Sequence, residues 1–182
     1  MGIFNLDRIL TPRSVAVVGA SEREGSVGRS VLENISKGGF TGEVYPINPK
    51  RKEVLGITAY ASIDQAPCPV DLAVIIVPLK FAPAVVEECG RCGVGGAIII
   101  SGGGKETGQE GAALERAILA AAKTAGVRIV GPNCVGVISS PASLNASFIH
   151  DMPKPGSLAF VSQSGATCTA VLDLAVTQDI GF

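Results

Sequence analysis

The residues best suited to chemistry in this chain grip rather than cut: glycines, small hydroxyls and a cluster of cations. The first group reads Gly19-Ala20-Ser21-Glu22-Arg23-Glu24-Gly25-Ser26-Val27-Gly28. Glycines let a ligand approach the main chain closely. A loop that closes a strand and opens a helix also aims free N–H groups and the positive end of the helix dipole at one place. The pattern predicts an anion site. Its spacing is not G-x-G-x-x-G, and the loop is longer than that dinucleotide fingerprint allows. An NAD site carries an acidic residue for the ribose 2′-hydroxyl after the second strand. Here that place reads Asn48-Pro49-Lys50-Arg51-Lys52, three cations and no carboxylate. NAD is disfavoured and a ligand with a ribose phosphate is favoured. The competing explanation is a Gly-rich turn beside a solvated basic run.

Other segments carry weaker signals. Ser101-Gly102-Gly103-Gly104-Lys105-Glu106-Thr107 evokes a phosphate loop but does not meet G-x-x-x-x-G-K-[ST]. Cys89-Gly90-Arg91-Cys92 is a C-x-x-C that closes a helix and has no second pair for zinc. Ser164 lacks the glycine two residues earlier that a nucleophile elbow needs. His150, the only histidine, falls in a Pro-rich connector and is read as a surface linker residue. Cys68 and Cys168 are read as small apolar fillers. The expectation is no catalytic residue and no metal site.

A ligand grip of this kind needs elements that bring distant loops to one edge. Apolar segments begin at Val15, Glu43, Asp71, Gly96 and Val127, 25–31 residues apart, with no signature recurring at that period. Successive βα units explain the spacing better than a solenoid does. Residues 15–18, 72–77, 97–100 and 127–130 are largely continuous apolar runs, the mark of strands covered on both faces in a parallel sheet. Between them lie helix periods. Val27, Val31 and Ile35 precede the stop Gly38-Gly39. Pro83 suits a first turn, with Ala82, Val85, Val86 and Cys89 inward and Gly93 beyond the end. Leu114, Ala117, Ile118, Ala121 and Ala122 form a third stripe ending at Gly126. The fold class is therefore α/β, a doubly wound, Rossmann-like parallel sheet with right-handed crossovers. Ligands bind beyond the carboxyl ends of such strands, where residues 19–28, 48–52, 78–80, 101–105 and 131–136 fall. After Val130 the pattern predicts a short strand at 136–138, a loop over 141–156, and a new βα unit with a strand at 158–161 and a helix at 166–178.

Composition excludes other classes. Fifteen Lys and Arg against sixteen Asp and Glu leave a formal charge of −1, which argues against nucleic acid or a membrane surface held by bulk charge. Aromatic residues are 4%, with no Trp, so no stacking platform for bases is expected. Charged residues at 17% and hydrophobic residues at 47% predict a folded chain. The 23 Gly and 11 Pro follow no Gly-X-Y period and so belong to turns. The longest apolar run, residues 72–79, falls far short of the ~20 residues that cross a bilayer. Asp7 stands where a signal peptide needs an apolar stretch. Five cysteines, an odd number in a chain of this size, read as reduced. The expectation is a soluble cytoplasmic protein without nucleic-acid or membrane partners, its association with further copies left open.

Several of these motifs carry a resemblance. Ser14-Val15-Ala16-Val17-Val18-Gly19-Ala20-Ser21, Val44-Tyr45-Pro46-Ile47-Asn48-Pro49-Lys50 and Gly131-Pro132-Asn133-Cys134-Val135-Gly136 resemble the CoA-binding domain of NDP-forming acyl-CoA synthetases. That family includes the succinyl-CoA synthetase α subunit and ADP-forming acetate–CoA ligases. The similarity continues through Pro155-Gly156-Ser157-Leu158-Ala159-Phe160-Val161-Ser162-Gln163-Ser164-Gly165, the start of the family's second domain. It implies a CoA-binding Rossmann-like domain at residues 1–140, a linker at 141–156 and the incomplete opening of a second α/β, flavodoxin-like domain at 157–182. It implies that Gly19, Ala20, Ser21, Gly25, Ser26, Val27 and Gly28 hold the phosphates and ribose of the ADP moiety of CoA. Asn48, Pro49 and Lys50 would flank a CoA phosphate, with Lys50 meeting it. Val77 and Pro78 with Ser101 and Gly102 would line the adenine and pantetheine path, and Asn133 and Cys134 the thiol end. Ser162, Gln163, Ser164 and Gly165 resemble the cradle for a phosphohistidine phosphate.

The implied chemistry is acyl phosphate formation from an acid and ATP, phosphate transfer to a histidine, then thioester formation on CoA. The family's phosphorylated histidine and its ATP-grasp segment, with ATP, ADP and Mg, fall outside these residues. The partner would be the rest of the synthetase or a β-type ATP-grasp subunit, and this chain alone is expected to bind without catalysing. Two alternatives stand beside this one: a regulatory acyl-CoA-binding module of a bacterial lysine acetyltransferase, and a fragment of an NADP-dependent oxidoreductase.

Overall fold

In the computed structural model, which describes residues 4–67 and 69–182, the apolar runs become the strands of one sheet. The chain runs α1 (Asp7–Leu10), β1 (Ser14–Val18), α2 (Val27–Lys37), β2 (Glu43–Ile47), β3 (Glu53–Val54), β4 (Ile57–Thr58) and β5 (Leu72–Ile75). It continues through α3 (Ala82–Arg91), β6 (Gly96–Ile99), α4 (Gln109–Ala125), β7 (Arg128–Val130), β8 (Gly136–Ser139), β9 (Leu144–Ser147) and α5 (Gly165–Thr177). The main sheet has the order β2-β1-β5-β6-β7, and every pairing in it is parallel. Every residue of β1, β5 and β6 is buried, as strands with helices on both faces require.

The period of two sorts side chains to the two faces. Ala73 and Ile75 of β5 join Val86 and Cys89 of α3 and Ile118 of α4 in one core layer. Leu72 and Val74 join Ile9, then Val31, Leu32 and Ile35 of α2, and Leu144 and Ala146 of β9 in the other. Helix ends follow the sequence signals. The Ser26 hydroxyl caps α2 by accepting from Arg29 N at 3.4 Å, and Gly126 closes α4 in the left-handed region at φ 69°. Pro83 lies in the first turn of α3. Ala117, expected in the inward stripe of α4, is exposed because it stands at the stripe's edge, away from the buried Gly111, Ile118 and Ala122.

Two expectations for the C-terminal third are corrected. The region predicted as loop from 141 contains β9, which pairs antiparallel with β8 through a left-handed Ser143 at φ 50°. Residues 158–161 form no strand, since a strand exists only with a ladder partner and none lies beside them among the described residues; Val161 is 96% exposed. The predicted C-terminal helix forms as α5. The assignment of Cys68 falls outside the described residues.

Candidate functional site

By order of occurrence, the sheet reads 2-1-3-4-5, so its winding reverses between β1 and β5 and a crevice opens outside their carboxyl ends. The first loop meets that crevice. Gly19 follows β1 at φ +96°, and a Cβ there would stand 3.1 Å from the Ile76 carbonyl carbon and 3.3 Å from Val77 Cγ1. A Cβ at Gly28 would overlap the Gly19 carbonyl oxygen, so the first turn of α2 can seat against the end of β1 only through glycine. Gly25, at φ +70°, differs: its missing Cβ faces open space. The loop's hydroxyls are spent internally. Ser21 Oγ accepts from Arg23 N at 3.0 Å, and Ser26 Oγ donates to the Arg23 carbonyl at 2.6 Å.

Asn48 braces this loop against the end of β2. Its Nδ2 donates to the Ala20 carbonyl at 2.8 Å, while its Oδ1 accepts from Lys50 N at 2.9 Å. Pro49, Lys50, Arg51 and Lys52 are exposed directly beyond it. The three cations are not equivalent. Arg51 Nη1 lies 3.0 Å from Glu22 Oε2, whereas Lys50 and Lys52 make no ion pair among the described residues. Arg29 is likewise answered by Glu33 at 3.3 Å and Glu24 at 3.9 Å.

The far wall is tied together by main-chain contacts. Ser101 Oγ donates to the Val77 carbonyl at 2.6 Å, and Asn133 N donates to the Ser101 carbonyl at 3.0 Å. A Cβ at Gly102 would stand 3.3 Å from Asn133 Oδ1. Pro78 is exposed at the rim. Cys134 turns inward, with Sγ 3.3 Å from the Ile99 carbonyl oxygen, and burial pushes its thiol above the ordinary range. Glu106 Oε1 accepts from Gly103 N at 2.7 Å and Gly104 N at 3.0 Å. The phosphate-loop look-alike thus has its amides filled by its own carboxylate, and those bonds hold Glu106 below the usual carboxylate range. At α5, Ser164 Oγ accepts from Thr167 N at 3.3 Å and Ser164 N donates to Ser162 Oγ at 3.1 Å. A Cβ at Gly165 would stand 3.6 Å from Val135 Cγ2, which sets this N-terminus against the 131–136 loop, with Gln163 exposed beside it.

The carboxyl edge therefore gathers Gly19, Ala20, Ser21, Gly25, Ser26, Val27 and Gly28 with Asn48, Pro49 and Lys50. Val77, Pro78, Ser101, Gly102, Asn133 and Cys134 stand across it. Cys89 and Cys92 lie apart at the end of α3; Cys89 is buried and its thiol is pushed up to about 12 by desolvation. Among the described residues, no group of three or more His, Cys, Asp and Glu is placed to hold a metal. His150 is exposed, with Nδ1 3.3 Å from Asn34 Oδ1. Sequence reasoning missed Glu22 and Glu106. Glu22 carries no signal, since its partner lies on another loop; Glu106, three residues after Gly103, has the spacing of a capping-box acid.

A doubly wound sheet whose first glycine loop meets a basic run at the switch point defines a Rossmann-like, cofactor-binding domain. The chain belongs to the CoA binding domain family, which matches residues 13–140. It is 47% identical over 177 residues to the ADP-forming acetate–CoA ligase I of Archaeoglobus fulgidus, spanning 97% of this chain and 26% of that protein. It is 44% identical to the α subunit of the ADP-forming acetate–CoA ligase II of Pyrococcus furiosus, spanning 97% of this chain and 38% of that subunit. The dinucleotide-forming acetyl-coenzyme A synthetase 1 of Ca. Korarchaeum cryptofilum, solved with phosphate and ADP, superposes with a TM-score of 0.91 at 40% identity, covering 97% of this chain and 38% of that one. No described helix is long and apolar enough to cross a membrane.

Proposed function

We propose that the chain binds CoA or an acyl-CoA in the crevice between the ends of β1 and β5, as the CoA-binding part of an NDP-forming acid–CoA ligase. The observation that carries this is the meeting of Gly19 and Val77 at the switch point, with the cations of residues 50–52 beside it and no acidic residue within 48–52, where an NAD site carries its own. The open face of Gly25 offers main chain to a pyrophosphate, and Lys50 offers a cation to the ribose phosphate. Val77, Pro78, Ser101 and Gly102 then line the adenine and pantetheine path, with Asn133 and Cys134 toward the thiol. The inward Sγ of Cys134 fits a wall-forming role, not a nucleophile. Ser162, Gln163, Ser164 and Gly165, beside Val135, suit a phosphate delivered by a phosphohistidine of another segment. The whole reaction, acyl-CoA from a carboxylic acid, ATP and CoA, belongs to the larger protein with its ATP-grasp segment or β-type subunit. The division into a domain at 1–140, a linker and a second domain opening at 157 is part of this reading. Neither alternative, acetyltransferase module or oxidoreductase fragment, draws support from the relatives found.

Lys50→Ala tests the site. A charge-assisted contact to phosphate is worth roughly 1.5–3 kcal/mol, so CoA affinity should fall on the order of tenfold or more by calorimetry, with the fold unchanged. Unchanged affinity in a folded variant contradicts the assignment.

A further inference from the structure

Glu22 sits in the proposed phosphate loop yet spends its carboxylate on the neighbouring one. Its Oε2 lies 3.0 Å from Arg51 Nη1, and its Oε1 accepts from Leu55 N at 3.4 Å. Its carbonyl accepts from Arg29 Nη1 at 2.9 Å, and Asn48 fixes Ala20 two residues earlier, so the backbone that carries Glu22 is held at both sides. The other acid of the loop, Glu24, lies against Arg29 instead, at 3.9 Å. Of the three cations after β2, Glu22 therefore singles out one and leaves Lys50 and Lys52 without an ion-pair partner among the described residues.

We propose that Glu22 is a selectivity residue: by engaging Arg51 it keeps that cation from a ligand's ribose phosphate and leaves Lys50 to read the phosphate. The proposal rests on the CoA reading above. Its physical basis is competition. The Glu22 side chain is 39% exposed and that of Arg51 60%, and ion pairs this exposed are weak, so a phosphate dianion competes for the guanidinium. That competition lowers affinity for a ligand with the ribose phosphate and acts far less on one without it. It sets how sharply CoA is distinguished from dephospho-CoA.

The test is a cycle of Glu22→Gln, Arg51→Ala and the double variant of this chain, titrated calorimetrically with CoA and with dephospho-CoA. Glu22→Gln is expected to raise CoA affinity about three- to tenfold while dephospho-CoA affinity stays within about twofold. Adding Arg51→Ala should abolish that gain, and raising salt should shrink it. A latch that only shaped the loop would move both ligands together. An unchanged or lowered CoA preference in Glu22→Gln overturns the proposal, as does a gain that survives Arg51→Ala. Wild-type protein that binds CoA and dephospho-CoA equally overturns the ribose-phosphate reading itself, and this proposal with it.

Discussion

Gly19, Gly25 and Gly28 stand in one loop for three different physical reasons, and single substitutions separate them. Gly28→Ala sets a methyl group into the Gly19 carbonyl and must push α2 off the sheet. A cost of about 1–3 kcal/mol in urea unfolding is expected, as for other overpacked sites. At Gly25 an added Cβ meets no protein atom, so Gly25→Val should fold, bearing about 1–2 kcal/mol of left-handed backbone strain. Its side chain then occupies the space assigned to phosphate, and CoA affinity should drop in calorimetry; an unchanged affinity makes the loop a turn and nothing more. Cysteine reactivity divides the same way. With its thiol at about 12, Cys89 is protonated throughout the working range, so a thiol reagent at pH 8 should leave it unmodified until the protein is unfolded. Labelling of Cys89 in the folded protein, read by mass spectrometry, contradicts its burial. At this scale the sequence was informative about where the glycines and cations fall, which follows from residue type, but not about which cation is paired. It was silent about Glu22, because an ion pair between two loops leaves no local pattern.

The strands and helices of the main sheet were legible because continuous apolar runs and helical stripes each have one physical explanation. Of the β8–β9 hairpin, β8 was legible as a short strand and β9 was not. Asn145 and Ser147 of β9 are polar yet buried, so the strand lacks the apolar signature that announces one. A side-chain network makes that burial tolerable. Asn34 Nδ2 of α2 donates to the carbonyls of Ser147 and Ile149, each at 2.8 Å, and Asn145 Nδ2 donates to the Ile149 carbonyl at 2.8 Å. Asn34→Ala removes donors from buried carbonyls and should cost about 1–3 kcal/mol, read as a lower midpoint in denaturant. No loss of stability would mean that the hairpin is held by Leu144 and Ala146 alone. The 101–104 loop is legible as glycine-rich but not as self-filled. Its Glu106 titrates below the usual range in the folded state. The stabilisation is therefore present above the ordinary glutamate range and lost as pH falls through the lowered value. The protection of the Gly103 and Gly104 amides against exchange, taken relative to their intrinsic rates, should fall on acidification in wild-type protein but not in Glu106→Gln.

Across the whole molecule, the crevice belongs to the main sheet, while residues 157–182 contribute mainly exposed apolar surface. Leu158, Phe160, Val161, Leu174, Val176 and Ile180 are all exposed, and among α5 residues only Leu172 and Ala175 are buried. Such a patch favours association, since hiding a few hundred Å² at about 25 cal/mol per Å² is worth several kcal/mol. Deleting residues 157–182 should raise solubility and leave CoA affinity within about twofold, because every proposed CoA contact precedes Gly156. A truncated chain that unfolds or loses CoA would make the tail integral to the first unit. The parallel, doubly wound sheet could be inferred from the βα rhythm, but the missing strand at 158–161 could not, because a strand depends on a neighbour that local sequence does not specify. The crevice at β1 and β5 is proposed to recognise CoA and not merely any nucleotide with a ribose phosphate. Parallel calorimetric titrations with CoA and NADP separate the two. Saturable one-to-one binding of CoA is expected, with at least roughly tenfold weaker binding of NADP; equal affinities, or tighter binding of NADP, would contradict CoA recognition.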